Sequence, residues 1–109
     1  MHKPLKHIAL SATALLTMAL TPAGAETAEQ HYKYLHAKCG PALEMSTAEC
    51  DCIVTKAKDD LAKLELDMVV MFVKEDQAGI ALLQPKLSEQ QMLNAMSFVT
   101  NTPKSCRNK

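Results

Sequence analysis

The chain has 109 residues, 48% of them hydrophobic, 22% charged and 4% aromatic, and its 12 basic residues balance its 12 acidic ones. This length allows one small domain and excludes large catalytic scaffolds such as a Rossmann domain or a TIM barrel. The apolar fraction excludes a disordered chain, and the three glycines and few aromatic residues argue against an all-β sandwich or barrel.

The N-terminus carries the three features of a secretory signal peptide. A short basic head (residues 1–7) precedes an uncharged run rich in alanine and leucine (8–20), and the small residues at 23–25 supply an A-x-A cleavage site. The apolar run is too short to cross a bilayer, which takes about 20 apolar residues. We therefore predict a signal peptide over residues 1–25, followed by a single domain over residues 26–109.

Cleavage of this signal changes the charge of the protein. It removes Lys3 and Lys6 and leaves 10 basic residues against 12 acidic ones, a formal net charge of −2 with neutral histidines. Such a domain lacks the basic surface that nucleic acids and anionic membranes require. We expect a periplasmic or secreted protein of bacterial export, with no nucleic-acid partner and no transmembrane segment once the signal is removed.

Two amphipathic helices are predicted in the first half of the mature chain. Helix 1 covers residues 27–38 and stops at Gly40-Pro41. Helix 2 begins near Ser46-Thr47, one of which is its N-cap. Each has a core-facing row at helical spacing: Ala28, Tyr32, Leu35 and Cys39 in helix 1, and Cys50, Ile53, Val54, Ala57, Leu61 and Leu64 in helix 2.

In the second half of the mature chain, the sequence pattern predicts two further helices, or three. One begins at Leu66-Asp67, with Asp67 as its cap, and ends at Gln84-Pro85, while Gly79 either breaks this helix or lies inside it. The last helix begins with a capping box, Ser88 at N-cap and Gln91 at N3, and ends at residues 101–103. We therefore predict a small all-α domain of four helices, or of five if the chain breaks near Gly79.

The four cysteines Cys39, Cys50, Cys52 and Cys106 all lie in the mature part and predict two disulfides, as is usual for a small exported domain. Cys50 shares the core-facing row of helix 2, whereas Cys52 lies about 200° away around the helix. Cys39 ends the core-facing row of helix 1. We favour the pairs Cys39–Cys50 and Cys52–Cys106, and the alternative is Cys39–Cys52 with Cys50–Cys106.

Two sulfur chemistries compete with this structural role. Cys50-Asp51-Cys52 could act as a redox dithiol in thiol–disulfide exchange. Thioether and thiolate sulfur, with imidazole from His31 and His36, could bind Cu(I). The sulfur atoms concerned are those of Cys50, Cys52, Met68, Met71, Met92 and Met96. Because oxidised cysteines cannot ligate and methionine is common in helical cores, we predict no metal and no cofactor.

No catalytic set is predicted. The mature chain keeps only His31 and His36, its carboxylates are dispersed, and it lacks a nucleophile elbow and a glycine-rich phosphate loop. We expect a non-enzymatic binding module, of inhibitory or immunity type, for another cell-envelope protein; the alternatives are a thiol–disulfide oxidoreductase and a copper carrier. A further alternative is a holdase or small-ligand carrier with an apolar groove suited to loose recognition. This candidate binding groove, which we call the methionine groove, comprises Met68, Met71, Phe72, Met92 and Met96.

Overall fold

The computed structural model describes residues 26–108, so the predicted signal peptide over residues 1–25 lies outside this range. The described residues form five α-helices and one 3-10 helix, and no strand occurs among them. In chain order these are α1 (Ala28–Leu43), α2 (Thr47–Asp60), α3 (Lys63–Lys74), α4 (Gln77–Leu83), the 3-10 helix (Gln84–Lys86) and α5 (Glu89–Cys106). The prediction of an all-α fold with two disulfides is confirmed.

Three of the helices begin with a complete capping box. In each, a hydroxyl at the N-cap accepts a hydrogen bond from the N3 backbone, and the N3 side chain accepts one from the N-cap backbone. The pairs are Thr27 with Gln30, Ser46 with Glu49, and Ser88 with Gln91. The helix starts predicted near Ser46 and at Ser88 are therefore confirmed, since local hydrogen bonding decides them.

Two predicted helix ends are wrong, because both helices continue past a proline. Helix α1 includes Pro41 and ends only at Glu44, which adopts a left-handed conformation with φ of 54°. Helix α5 includes Pro103 and runs on to Cys106. In each case the extra turn carries a residue that packs on the core, Leu43 in α1 and the fully buried Cys106 in α5. Burial of these side chains offsets the backbone hydrogen bond that each proline removes.

The predicted start of the third helix is also wrong. Helix α3 begins at Lys63, one turn earlier than expected, and Asp67 lies inside it rather than at its cap. Its N-cap is Ala62, whose backbone N–H donates to Glu65 Oε1 at 2.7 Å. The chain then breaks at Glu75, with φ of 56°, and Asp76 caps α4. Gly79, where a break was considered, lies buried within α4.

Helix α3 is the centre of the fold. Its residues 65–71 are consecutively buried, since α1, α4 and α5 all pack against it. A helix that is covered on every side must be apolar around most of its circumference, and Met68, Val69 and Val70 meet that requirement. The core is therefore built around α3, and the other helices contribute one face each.

Both disulfides tie peripheral helices together around this core. The Cys39–Cys50 bridge joins α1 to α2, with a Cα–Cα distance of 5.7 Å, and the Cys52–Cys106 bridge joins α2 to the last turn of α5, at 5.6 Å. The favoured pairing is confirmed and the alternative pairing is wrong. The separation of about 200° between Cys50 and Cys52 directs their sulfur atoms to different helices. The packing of α1 and α5 against α2 decides which sulfur atom meets which partner.

Candidate binding groove

One apolar pocket opens on the surface where α1, α2, α3 and α5 meet. It has a volume of about 120 Å³. Its lining consists of Leu35, Lys38, Cys39, Ala42 and Leu43 from α1, Ile53 from α2, Val69 and Val73 from α3, and Phe98, Val99 and Pro103 from α5. Of these residues only Lys38 carries a charge, so the pocket offers apolar surface with one cation at its edge.

Helical spacing explains how the walls of the pocket form. Val69 and Val73 lie four residues apart on α3, and Val99 and Pro103 lie four residues apart on α5, so each pair presents one continuous strip. The third wall needs the final turn of α1, which carries Leu43. This wall exists because α1 continues past Pro41, and this explains why sequence reasoning missed the pocket.

An exposed apolar stripe runs along α5 beside the pocket. Its residues are Leu93, Met96 and Val99, spaced three residues apart, with exposed fractions of 52%, 51% and 36%. Val99 belongs both to this stripe and to the pocket lining. Scattered exposed apolar residues are ordinary on protein surfaces, but a row continuous with a pocket is typical of an interaction site. We refer to the pocket and the stripe together as the α5 groove.

Lys38 is the charged residue of the pocket lining. Its side chain is exposed and makes no ion pair within residues 26–108. Three further charged residues, Glu44, Lys74 and Lys104, follow lining residues in the chain without lining the pocket themselves. The pocket lining therefore carries a single positive charge.

The structure separates the residues of the predicted methionine groove. Met68 and Met71 are buried in the core, and Phe72 and Met92 are half-buried against it. Met96 is exposed and is the one member that lies on the α5 stripe. None of the five lines the apolar pocket. Helical spacing identified α5 as a candidate element, but it did not distinguish the side of α3 that faces the core from the side that faces the pocket.

All four cysteines are in disulfides, and Cys50 and Cys52 belong to different bridges. Cys50 is buried and Cys52 is half-buried. The sulfur atoms of the C-x-C segment therefore face different helices, and a closed bridge between them would require both existing bridges to open.

The two histidines within residues 26–108 occupy different environments. His36 Nε2 lies 2.7 Å from Asp51 Oδ1 on the surface between α1 and α2. His31 is buried and its Nε2 lies 2.8 Å from Asp67 Oδ1, which also accepts a hydrogen bond from Lys63. The second ring nitrogen of His31, Nδ1, is buried without a hydrogen-bond partner among the described residues. No serine or cysteine nucleophile contacts either imidazole within that range.

A second buried acidic side chain, that of Glu65, lies two residues before Asp67 on α3. Glu65 accepts hydrogen bonds from the Ala62 backbone and, at 2.8 Å, from Asn94 Nδ2 of α5. Each carboxylate oxygen thus has one donor, so this residue joins the start of α3 to α5. Within residues 26–108 there is no group of three or more histidine, cysteine, aspartate or glutamate side chains that could hold a metal ion.

The helices of residues 26–108 include none that is long and apolar enough to span a membrane. The two disulfides are consistent with an extracellular or otherwise oxidising compartment.

Comparison with known proteins adds no relative. No protein-family model matches the chain, and neither the curated proteins nor the solved structures include a significant match.

Proposed function

We propose that this protein is a small, non-enzymatic binding module that engages another protein of the cell envelope through the α5 groove. The observation that carries the proposal is the continuity of the apolar pocket with the exposed stripe, which share Val99. A preformed apolar pocket beside exposed apolar side chains favours protein docking, because an anchor side chain gains most when it leaves water for such a cavity. An inhibitor or immunity-type partner of an envelope enzyme fits this description.

The disulfides support the proposal by holding the walls of the groove in place. Cys39 lines the pocket and is bridged to α2, while the Cys52–Cys106 bridge fixes the end of α5 just beyond Pro103. A surface that is ordered before binding loses less conformational entropy when the partner arrives. The two bridges therefore favour binding as well as stability.

Export through the signal peptide is part of the proposal. The basic head, the apolar run and the A-x-A site at residues 23–25 are its basis, and disulfide formation requires the oxidising compartment to which such a signal directs the chain. Fractionation of cells that make the untagged protein, with an intact mass of the periplasmic or secreted form, tests it. The expected species begins at Glu26 and lacks four hydrogen atoms relative to the reduced chain. A full-length species in the cytoplasm would contradict export.

Site-specific photo-crosslinking in the producing cell tests the binding function. A photoreactive phenylalanine analogue replaces Met96 on the stripe, and the matched control carries it at Thr55, an exposed position on α2 outside the pocket lining. We expect one discrete protein adduct from the Met96 variant and none from the Thr55 variant. The adduct should disappear when Val99→Lys is added.

The crosslinking result is decisive in both directions. A discrete adduct that depends on Val99 supports a docking role for the α5 groove. Adducts of equal yield at both positions, or none from either position in any growth condition, would contradict it.

A further inference from the structure

We infer that the partner presents an amphipathic α-helix, which inserts one leucine-, isoleucine- or phenylalanine-sized side chain into the pocket and places a carboxylate beside Lys38. This inference rests on the proposed function and specifies the chemistry of the partner segment. Three features of the α5 groove carry it: the volume of the pocket, the linear shape of the stripe and the sign of the charge in the pocket lining.

The volume of the pocket fits a single anchor side chain. An engineered apolar cavity of about 150 Å³ accommodates benzene, and the pocket here has a volume of about 120 Å³. One branched aliphatic or aromatic side chain fills such a space, whereas a lipid chain or a drug-sized ligand requires a pocket of about 300 Å³ or more. The volume therefore fits a protein side chain rather than a lipid chain or a drug-sized ligand.

The fold restricts how a peptide can present that side chain. Addition of a peptide strand needs an exposed sheet edge, and residues 26–108 contain no strand. Recognition of a phosphorylated motif uses clustered arginines, and the chain has a single arginine, Arg107. A proline-rich peptide needs an aromatic groove, whereas Phe98 is the one aromatic residue of the lining. A helix in the groove remains, and its apolar residues at three- and four-residue spacing match the spacing of the stripe.

Charge complementarity indicates the polar flank of that helix. Lys38 lines the pocket from α1 and makes no ion pair within residues 26–108. Aspartate or glutamate on the partner would pair with this lysine, while a basic helix would be repelled. The same argument disfavours the predicted signal segment as the occupant, since its charged residues are all basic.

A displayed library of helical peptides, randomised along one face and both flanks, tests the inference on the purified, oxidised protein. We expect enriched peptides to carry one large apolar residue at a fixed position with aspartate or glutamate one turn away. Val99→Lys and Lys38→Glu should each weaken binding by about ten-fold or more. The matched controls are Asn101→Lys on the opposite side of α5 and Lys33→Glu elsewhere on α1, which should bind as the wild type does.

A charge exchange makes the test specific. An enriched peptide whose acidic residue is changed to lysine should bind Lys38→Glu better than it binds the wild type. Enrichment of peptides without acidic residues, binding that is indifferent to Lys38→Glu, or no enriched peptide would overturn the inference. A dimer in sedimentation that dissociates with Val99→Lys would also overturn it, because the occupant would then be a second copy of the chain.

The two proposals fail in distinguishable ways. If the Met96 crosslink captures a partner but the library shows no preference for acidic helices, the groove binds a protein of other chemistry and only this inference falls. If the crosslink captures nothing and the library yields nothing, both proposals fall. Enriched acidic helices without a cellular adduct would support the chemistry of the groove and contradict its proposed role in the cell.

Discussion

His31 and Asp67 form a buried pair in the core, with the imidazole Nε2 2.8 Å from Oδ1 and side-chain exposures of 0% and 3%. His36 and Asp51 make the same contact at 2.7 Å, but their side chains are 41% and 64% exposed. The two pairs share the histidine–aspartate contact and differ in burial, and Asp67 also accepts a hydrogen bond from Lys63. The exposed pair is therefore the natural comparison for the buried cluster of His31, Lys63 and Asp67.

We predict that Asp67→Ala destabilises the protein much more than Asp51→Ala. Loss of Asp67 leaves a buried imidazole without its partner, which costs about 1.5–3 kcal/mol, whereas an exposed pair contributes about 0–1 kcal/mol. The measurement is urea unfolding of both variants and the wild type at pH 7. Equal losses in the two variants would show that burial does not strengthen the His31–Asp67 contact.

Replacement of Ala62 by serine is predicted to stabilise the protein. Ala62 caps α3 at φ −72° and ψ 165°, nearly the conformation of the N-cap residues Ser46 (−71°, 167°) and Ser88 (−71°, 165°), but it provides no side-chain hydrogen bond. A serine there can accept the N3 N–H, and such a cap contributes about 0.5–2 kcal/mol relative to alanine. The midpoint of urea unfolding should rise for Ala62→Ser and fall for Ser88→Ala.

The two glycines of the described helices are predicted to respond oppositely to alanine. A Cβ at Gly79 would come within 2.3 Å of Met71 Sδ and 2.8 Å of Asp76 Oδ2, whereas a Cβ at Gly40 would have no neighbour nearer than 3.9 Å. Gly40→Ala should stabilise α1 by about 0.5–1 kcal/mol through helix propensity. Gly79→Ala should be destabilising, because overpacking costs about 1–3 kcal/mol. Thermal unfolding of the two variants checks this, and a stabilised Gly79→Ala would contradict the close packing of α4 on α3.

Acid stability is predicted to depend on Glu49. Hydrogen bonds from the backbone N–H groups of Ser46 and Asn108 lower the pKa of this carboxyl below its ordinary value of 4.5. A carboxyl with a lowered folded-state pKa contributes stability that is present above the unfolded value and is lost as the pH falls through the folded one. Glu49→Gln should therefore unfold at a lower temperature than the wild type at pH 7. The difference should shrink below about pH 4.5, and a constant difference across that range would contradict the assignment.

The two disulfides are predicted to contribute unequally. The Cys39–Cys50 bridge closes a separation of 11 residues and the Cys52–Cys106 bridge one of 54. The loop-entropy relation gives about 3 kcal/mol for the first and about 4 kcal/mol for the second. Urea unfolding of the two double-alanine variants should therefore show a larger loss without the Cys52–Cys106 bridge. The reverse order would indicate that α1, rather than the end of α5, depends more on its covalent link.

Sequence reasoning predicted much of the core but did not predict the α5 groove. The rows that include Leu35 and Ile53 predicted the buried faces of α1 and α2, because amphipathic spacing reports directly which side of a helix leaves water. The same reasoning took Asp67 for a cap, since an acidic residue inside a buried helix is rare unless a distant partner compensates it. That partner, His31, lies 36 residues away in the chain.

The amino-acid sequence determined by itself whatever rests on neighbours within one or two helical turns. The capping box at Ser88, the amphipathic rows and the opposite directions of Cys50 and Cys52 are such features. They sufficed for the all-α fold and for two disulfides with one pairing favoured, and the tertiary structure then decided that pairing. Only the tertiary structure decided where α1 and α5 end. Packing of Leu43 and burial of Cys106 compensate the hydrogen bonds that Pro41 and Pro103 cannot make, and these gains exist only once the helices meet.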